Sequence, residues 1–161
     1  MDRVRQIMTN PLYKDTMEKI RNCEKGRIFC LHGLQHSLDV ARIAYIINLE
    51  EEMHIKKDLI YGAALLHDIG RASEYTDGIP HEEAGYVLAQ EILKQTDYDL
   101  EEQQEILEAV HFHRRIPDAQ VQGTLSGLIK KADKLSRLCF DCEAEEECFW
   151  PDSKKNKTIV V

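Results

Sequence analysis

The sequence predicts an all-α protein, a bundle of helices with no sheet. Three observations lead there. Apolar residues recur at helical spacing in six separate stretches. Glycine and proline are scarce, 8 and 4 in 161 residues. Val, Ile, Thr and the aromatics rarely alternate with polar residues over a strand-length window.

Taken in order, residues 1–25 read as N-terminal helices, of which Pro11 to Lys25 is the clearly bounded one. Proline suits its opening turn, Leu12, Thr16, Ile20 and Cys23 recur on one side, and Gly26 ends it. Cys23 is therefore expected in the core. Leu34 to Asn48 is a strongly apolar helix that carries His36. Lys57 to Leu66 is hydrophobic nearly all round, which predicts burial on several sides. Arg71 to Pro80, with Gly78 and Pro80, reads as a loop. His81 to Lys94 opens with Glu82 and Glu83, favourable at the positive end of the helix dipole. Leu100 to Arg114 carries His111 and His113 at its end, Pro117 lies in the loop that follows, and Leu125 to Leu138 bears Asp133. The lysine-rich tail after Ser153 is expected to fray.

The length fits one domain able to bury a core without disulfides, divided as residues 1–25, a core over 26–138 and a cysteine-containing extension over 139–161. A formal charge of −8 and a pI near 5.4 speak against nonspecific binding to nucleic acid or an anionic membrane. No apolar run is long enough to span a bilayer, and the start lacks a signal-peptide core. The expectation is a soluble cytoplasmic protein whose five cysteines are free or metal-bound.

The chemistry concentrates on His67-Asp68, which closes the small apolar run AALLHDIGR. Imidazole and carboxylate are usual ligands of catalytic divalent metals. His36, His81, His113 and Asp133 lie on or at the ends of other helices, and a bundle can converge such scattered side chains on one interior point. His111 competes with His113; two residues apart on a helix they point about 200° from each other. His32, one turn before His36, reads as a supporting histidine, and His54 as an exposed turn residue.

The segments HGLQHSLDVA, ALLHDIGR and KKADKLSR, in that order, resemble the HD-domain metal-dependent phosphohydrolases over roughly Gly26 to Leu138. The resemblance implies an HD-domain helical bundle in which His36, His67, Asp68 and Asp133 hold a first metal. His81 and His113 occupy positions similar to those that hold a second ion, with Ala109-Val110-x-x-His113 matching the family's pattern and Asp68 bridging. Iron or manganese is the implied metal, with magnesium, cobalt, nickel and zinc as alternatives. Asp68 and Arg71 are the expected catalytic residues, and Arg71, Arg114 and Lys134, with Arg115 beside them, the expected phosphate-binding cations. The implied function is hydrolysis of a nucleotide or other phosphate ester or anhydride by metal-activated water. Small size and the two-metal pattern resemble the bacterial branch that splits dinucleoside polyphosphates symmetrically. That branch usually has threonine after the histidine matched by His113, where this chain has Arg114-Arg115, so a nucleoside monophosphate or another phosphate ester is an alternative substrate. A di-iron oxidase or oxygenase and a noncatalytic signalling module are the alternative functions; an oligomer is compatible with all of them.

Cys139, Cys142 and Cys148 form a C-x2-C-x5-C segment, and Cys30 precedes the helix of His36. Together they are candidate ligands of a structural zinc. Free thiols and an iron–sulfur or redox role are the alternatives.

Overall fold

The computed structural model describes residues 1–114 and 117–159, with the side chain of residue 118 left aside. Among them the regular structure is helical, with no strand, as the apolar periodicity predicts. The helices are α1 (Asp2–Thr9), α2 (Pro11–Cys23), α3 (Leu34–Glu50), α4 (Lys57–Leu66), α5 (Arg71–Asp77), α6 (His81–Leu93), α7 (Leu100–Phe112), α8 (Asp118–Val121) and α9 (Leu125–Leu135). No helix is long and apolar enough to cross a membrane among the described residues.

The core is built around α4. Leu59, Ile60, Gly62, Ala63, Ala64, Leu65 and Leu66 are all buried, so its all-round hydrophobicity is matched by neighbours on every side. Helix α3 packs on α4 and α9, α7 on α4, α6 and α9, and α1 on α4. Truncating a side chain such as Leu66, fully buried in this cluster, would cost about 2–5 kcal/mol.

One N-terminal helix gains its bounds, and three expectations change. Helix α1 precedes the proline-led helix; its Val4 and Ile7 are buried, and the Asn10 side chain accepts from the Leu12 and Tyr13 amides to start α2. The stretch from Arg71 to Asp77 is helical, because its breakers, Gly78 in the left-handed region and Pro80, lie beyond it. Cys23 is exposed, since it falls at the last residue of α2 where the buried face has run out. The tail after Ser153 is tied down: the Asn156 side-chain amide donates to the carbonyls of Lys134, Leu135 and Arg137, capping the end of α9.

One polar network joins three helices. The Arg3 guanidinium bonds Glu102 and, through Nε, Asp58 at 2.8 Å; Lys56 Nζ reaches Glu102 at 2.8 Å. Glu102 also closes the capping box of α7 with Asp99. The bond from Arg3, with those from Lys56 and the Asp99 amide, pulls the Glu102 carboxyl from its ordinary value near 4.5 down to about 2. A depressed carboxylate stabilises the fold above its unfolded value and loses that contribution as pH falls through the folded one. We expect about 1–2 kcal/mol of stability to disappear between roughly pH 4.5 and pH 2. Glu102→Gln should remove that step from the denaturation midpoint plotted against pH; an unchanged plot would show that the network carries no net energy.

Candidate metal centre

Four imidazoles meet near the middle of the bundle, and their outer nitrogens determine what they can do. His67 Nδ1 lies 2.7 Å from the Ala64 carbonyl and His113 Nδ1 2.8 Å from the Val110 carbonyl. A carbonyl only accepts, so both rings carry their proton on Nδ1. His81 Nδ1 is 3.0 Å from a Glu74 carboxylate oxygen. His36 Nδ1 faces Ser136 Oγ at 3.4 Å, whose own proton goes to the Asp133 carbonyl. With each ring in its neutral form, all four Nε2 atoms therefore present lone pairs pointing inward. Two such pairs face each other at 3.2 Å, His36 with His67 and His81 with His113. Two acceptors at that distance repel unless a cation lies between them.

The carboxylates complete two groups. His36, His67, Asp68 and Asp133 each bring one ligand-type atom within 4.8 Å of all the others, and so do Asp68, His81 and His113. Asp68 belongs to both, and its two oxygens are divided between them. Oδ2 is 3.1 Å from His67 Nε2 and 3.5 Å from His36 Nε2. Oδ1 is 3.3 Å from His81 Nε2 and 3.9 Å from His113 Nε2. Asp133 Oδ1 stands 3.3 Å from His36 Nε2 and 3.9 Å from His67 Nε2.

Protonation follows from burial and neighbours. Burial opposes ionisation of Asp68 and Asp133, but His67 and Arg71 beside the first, and His36 and His67 beside the second, hold both carboxyls well below the usual range. Burial pushes His113 down to about 4, helped by His67, and lowers His81, helped by Arg71. Burial would lower His36 too, yet Asp133 and Asp68 outweigh it and raise the imidazole to about 9. Near neutral pH the site thus offers ionised carboxylates and neutral His81 and His113 rings, while His36 holds a second proton that a bound cation would displace. The donor set fits divalent ions that accept nitrogen and oxygen ligands.

The comparisons with known proteins agree with this geometry. The profile of the HD domain matches residues 33–138. This chain belongs to the HD-domain family. An uncharacterized protein of Clostridium beijerinckii is 42% identical over 159 residues, covering 99% of each chain. The crystal structure of a predicted HD superfamily hydrolase from an uncultured Thermotogales bacterium superposes with a TM-score of 0.62 at 24% identity, over 88% of this chain and 80% of that one, which shows a shared fold. HD domains bind divalent metals, and the His/Asp groups here could hold one.

Local structure explains how each side chain of the HD domain reaches the centre. Helix α4 tightens at its end into successive turns, Ile69 N to Leu66 O and Arg71 N to Asp68 O, which turns His67 and Asp68 inward. His36 comes from the first turn of α3 and Asp133 from the last turn of α9. His81 is the first residue of α6, and His113 caps the end of α7. The competition between the two late histidines is resolved geometrically. His113 reaches the centre, while His111 packs against Tyr86 and Phe112 on the other side of the helix end.

Other expected residues are more scattered. Arg71 is mostly buried and donates from Nε to Asp68 Oδ1 at 2.9 Å and from Nη1 to Glu74 at 2.7 Å, so it orients a carboxylate and its neighbour. Arg114 and Lys134 are exposed beside His113 and Asp133, and Arg115 lies outside the described residues. His54 is exposed, as expected. His32 does not join either group; Glu24 binds its ring and its amide, Tyr75 donates to the same carboxylate at 2.8 Å, and the His32 ring meets His36 edge-on. The sequence reading missed Glu74, Glu24, Tyr75 and Ser136. Nothing marks them in one sequence, since each is an ordinary helix residue until the fold places it behind a histidine.

Proposed function

We propose that this HD domain is a metal-dependent phosphohydrolase with two adjacent ions, acting on a nucleotide or another small phosphate ester or anhydride. The observation that carries the reading is Asp68, whose two oxygens serve two separate groups of inward-facing imidazoles. His36, His67, Asp68 and Asp133 would hold one ion, and Asp68, His81 and His113 the other. Bound there, divalent ions supply an acidified water nucleophile and neutralise charge on phosphoryl oxygens.

The rest is the work of the chain. Backbone carbonyls fix the His67 and His113 tautomers, and Glu74 that of His81, so the lone pairs are aimed before any ligand arrives. Three protein ligands in the second group leave room for substrate oxygen. Arg71 holds Asp68 Oδ1 in place and adds positive charge beside the phosphate position, while Arg114 stands at the rim. The Thermotogales protein of the same fold is a predicted hydrolase, which supports the reaction class.

The deciding experiment is metal analysis of protein purified without chelator, followed by a panel of nucleoside mono-, di- and triphosphates, dinucleoside polyphosphates and simple phosphate esters assayed with manganese, iron, magnesium, cobalt, nickel and zinc. Phosphate release with at least one of these metals is the expected result. Intact metal binding with no turnover across the panel would overturn the reading, and turnover that consumed dioxygen would replace hydrolysis with di-iron oxidation. Within the same assay Arg71→Ala should lower kcat by about 10–100-fold, the usual effect of losing a partner behind a metal ligand. A change in KM alone would instead make Arg71 a simple substrate contact.

A further inference from the structure

The His/Asp centre is sealed on one side and open on the other. The side chains of His67, His81 and His113 are at most 1% exposed, whereas that of His36 is 13% and that of Asp133 32% exposed. A substrate therefore meets the centre where α3 begins and α9 ends. His32 stands at that opening. Its ring meets the His36 ring edge-on with centroids 5.8 Å apart, and 11% of its side chain is exposed.

Three groups fix how His32 is presented. Glu24, the residue just past α2, is buried, and its carboxylate accepts from the His32 amide at 2.9 Å, from His32 Nδ1 and from the Tyr75 hydroxyl at 2.8 Å. Burial opposes ionisation of Glu24, but the bonds from His32 and Tyr75 hold its carboxyl below the usual range. An ionised carboxylate only accepts, so Nδ1 keeps its hydrogen and Nε2 is the nitrogen left to act. Nε2 has no hydrogen-bond partner among the described residues and is not one of their buried orphan atoms, so it is the part of the ring open to a bound molecule. A carboxylate–imidazole pair with its outer nitrogen free is an arrangement that moves protons in hydrolytic sites.

Hydrolysis of a phosphate ester has one step for which the two ligand groups supply no residue. Water adds to phosphorus, the bond from phosphorus to the leaving oxygen breaks, and its electron pair stays on that oxygen. A leaving phosphate departs as an anion, but an alcohol oxygen is far more basic and needs a proton. His36, His67, His81 and His113 belong to the ligand groups, His111 packs on the other side of the end of α7, and His54 is exposed in a turn. Arg71 is claimed by Asp68 and Glu74. Cys30, Cys139, Cys142 and Cys148 are free thiols that form no ligand group among the described residues, so the unassigned chemistry lies with histidine. We propose that His32 gives its Nε2 proton to the leaving alcohol oxygen of a phosphate ester bound at the centre, with Glu24 as its positioning residue. The proton released by the attacking water replaces the one transferred. Resting on the phosphohydrolase reading, this assignment makes the substrate an ester of an alcohol rather than an anhydride.

The test compares full-length wild type and His32→Gln, loaded with the metal that best supports turnover, on nucleoside monophosphates, phenyl phosphate and para-nitrophenyl phosphate. These leaving groups need a proton to a falling degree. The variant should lose about 10²–10⁴-fold in kcat on the nucleoside monophosphates, less on phenyl phosphate, and little on para-nitrophenyl phosphate. Its metal content and its metal-dependent rise in melting temperature should match wild type. Glu24→Gln should show the same bias at smaller size, and it provides the reading if His32→Gln does not fold. An equal loss on all three leaving groups, no loss on any, or a loss of bound metal would make the Glu24–His32 pair a structural support and overturn its role in proton transfer. A wild-type protein that splits anhydrides but no alcohol ester would also overturn that role while leaving the phosphohydrolase reading intact. Wild type that holds metal and turns over no phosphate compound removes that reading itself, and the role of His32 with it.

Discussion

Asp68→Ala is expected to abolish turnover and to remove metal from both groups together. Among the described residues Asp68 is the one ligand common to both groups: Oδ2 faces His36 and His67 while Oδ1 faces His81 and His113. Without it the second group keeps only two imidazoles, and the first loses the carboxylate oxygen nearest His67 and half of its negative charge, so both hold a dication far more weakly. The loss in kcat should exceed the roughly 10–100-fold typical of a partner behind a ligand and reach about 10³-fold or more, as for other groups that face charge developing in the transition state. A readout independent of activity is available. Metal that binds only the folded chain raises its melting temperature with concentration, and the variant should show no such rise with manganese or iron. Full activity in Asp68→Ala, or an unchanged metal-dependent shift, would make the pair a structural feature and remove the basis for a shared centre.

Much of this centre is legible in the sequence because its side chains sit at helix ends, where local signals are strongest. His36, His67, Asp68, His81, His113 and Asp133 are recognisable from their order and helical context, and the bundle brings all six together. The choice between His111 and His113 was not decidable from helix geometry alone; it turns on where α7 ends, and His113 is its cap. What supports the ligands was hidden. Glu74 faces His81 only because Arg71 to Asp77 is a helix, and that segment looks like a loop when its breakers are read back too far. Arg71 looks like a phosphate contact in sequence, yet two carboxylates within one turn already claim much of its guanidinium. Long-range partners such as Ser136 with His36, or Glu24 with His32, depend on packing that no local pattern encodes.

Gly70→Ala should be severely damaging for the addition of a single methyl group. Gly70 has ordinary backbone angles, so its requirement is space rather than conformation. A Cβ there would lie 2.0 Å from the His81 carbonyl oxygen and 2.5 Å from the Gly85 amide nitrogen, both backbone atoms that cannot rotate aside. Helix α6 would have to move off the turn that follows Asp68, carrying His81 with it. Overpacking of this kind costs about 1–3 kcal/mol in a core that can yield, and a backbone crossing belongs at or beyond the upper end. In a chain of this size about 3 kcal/mol lowers Tm by roughly 6–12 °C. Gly85→Ala is the control across the same contact, because its Cβ would meet nothing closer than a Val110 methyl at 3.3 Å, which can give. It should cost about 1 kcal/mol or less. The two variants also separate stability from the site. At temperatures where both are folded, Gly70→Ala should lose the ion held by His81 and His113 before the one held by His36, His67 and Asp133, and Gly85→Ala should keep both. A Gly70→Ala protein that melts with the wild type and binds a full complement of metal would show that α6 does not need this close approach to deliver His81.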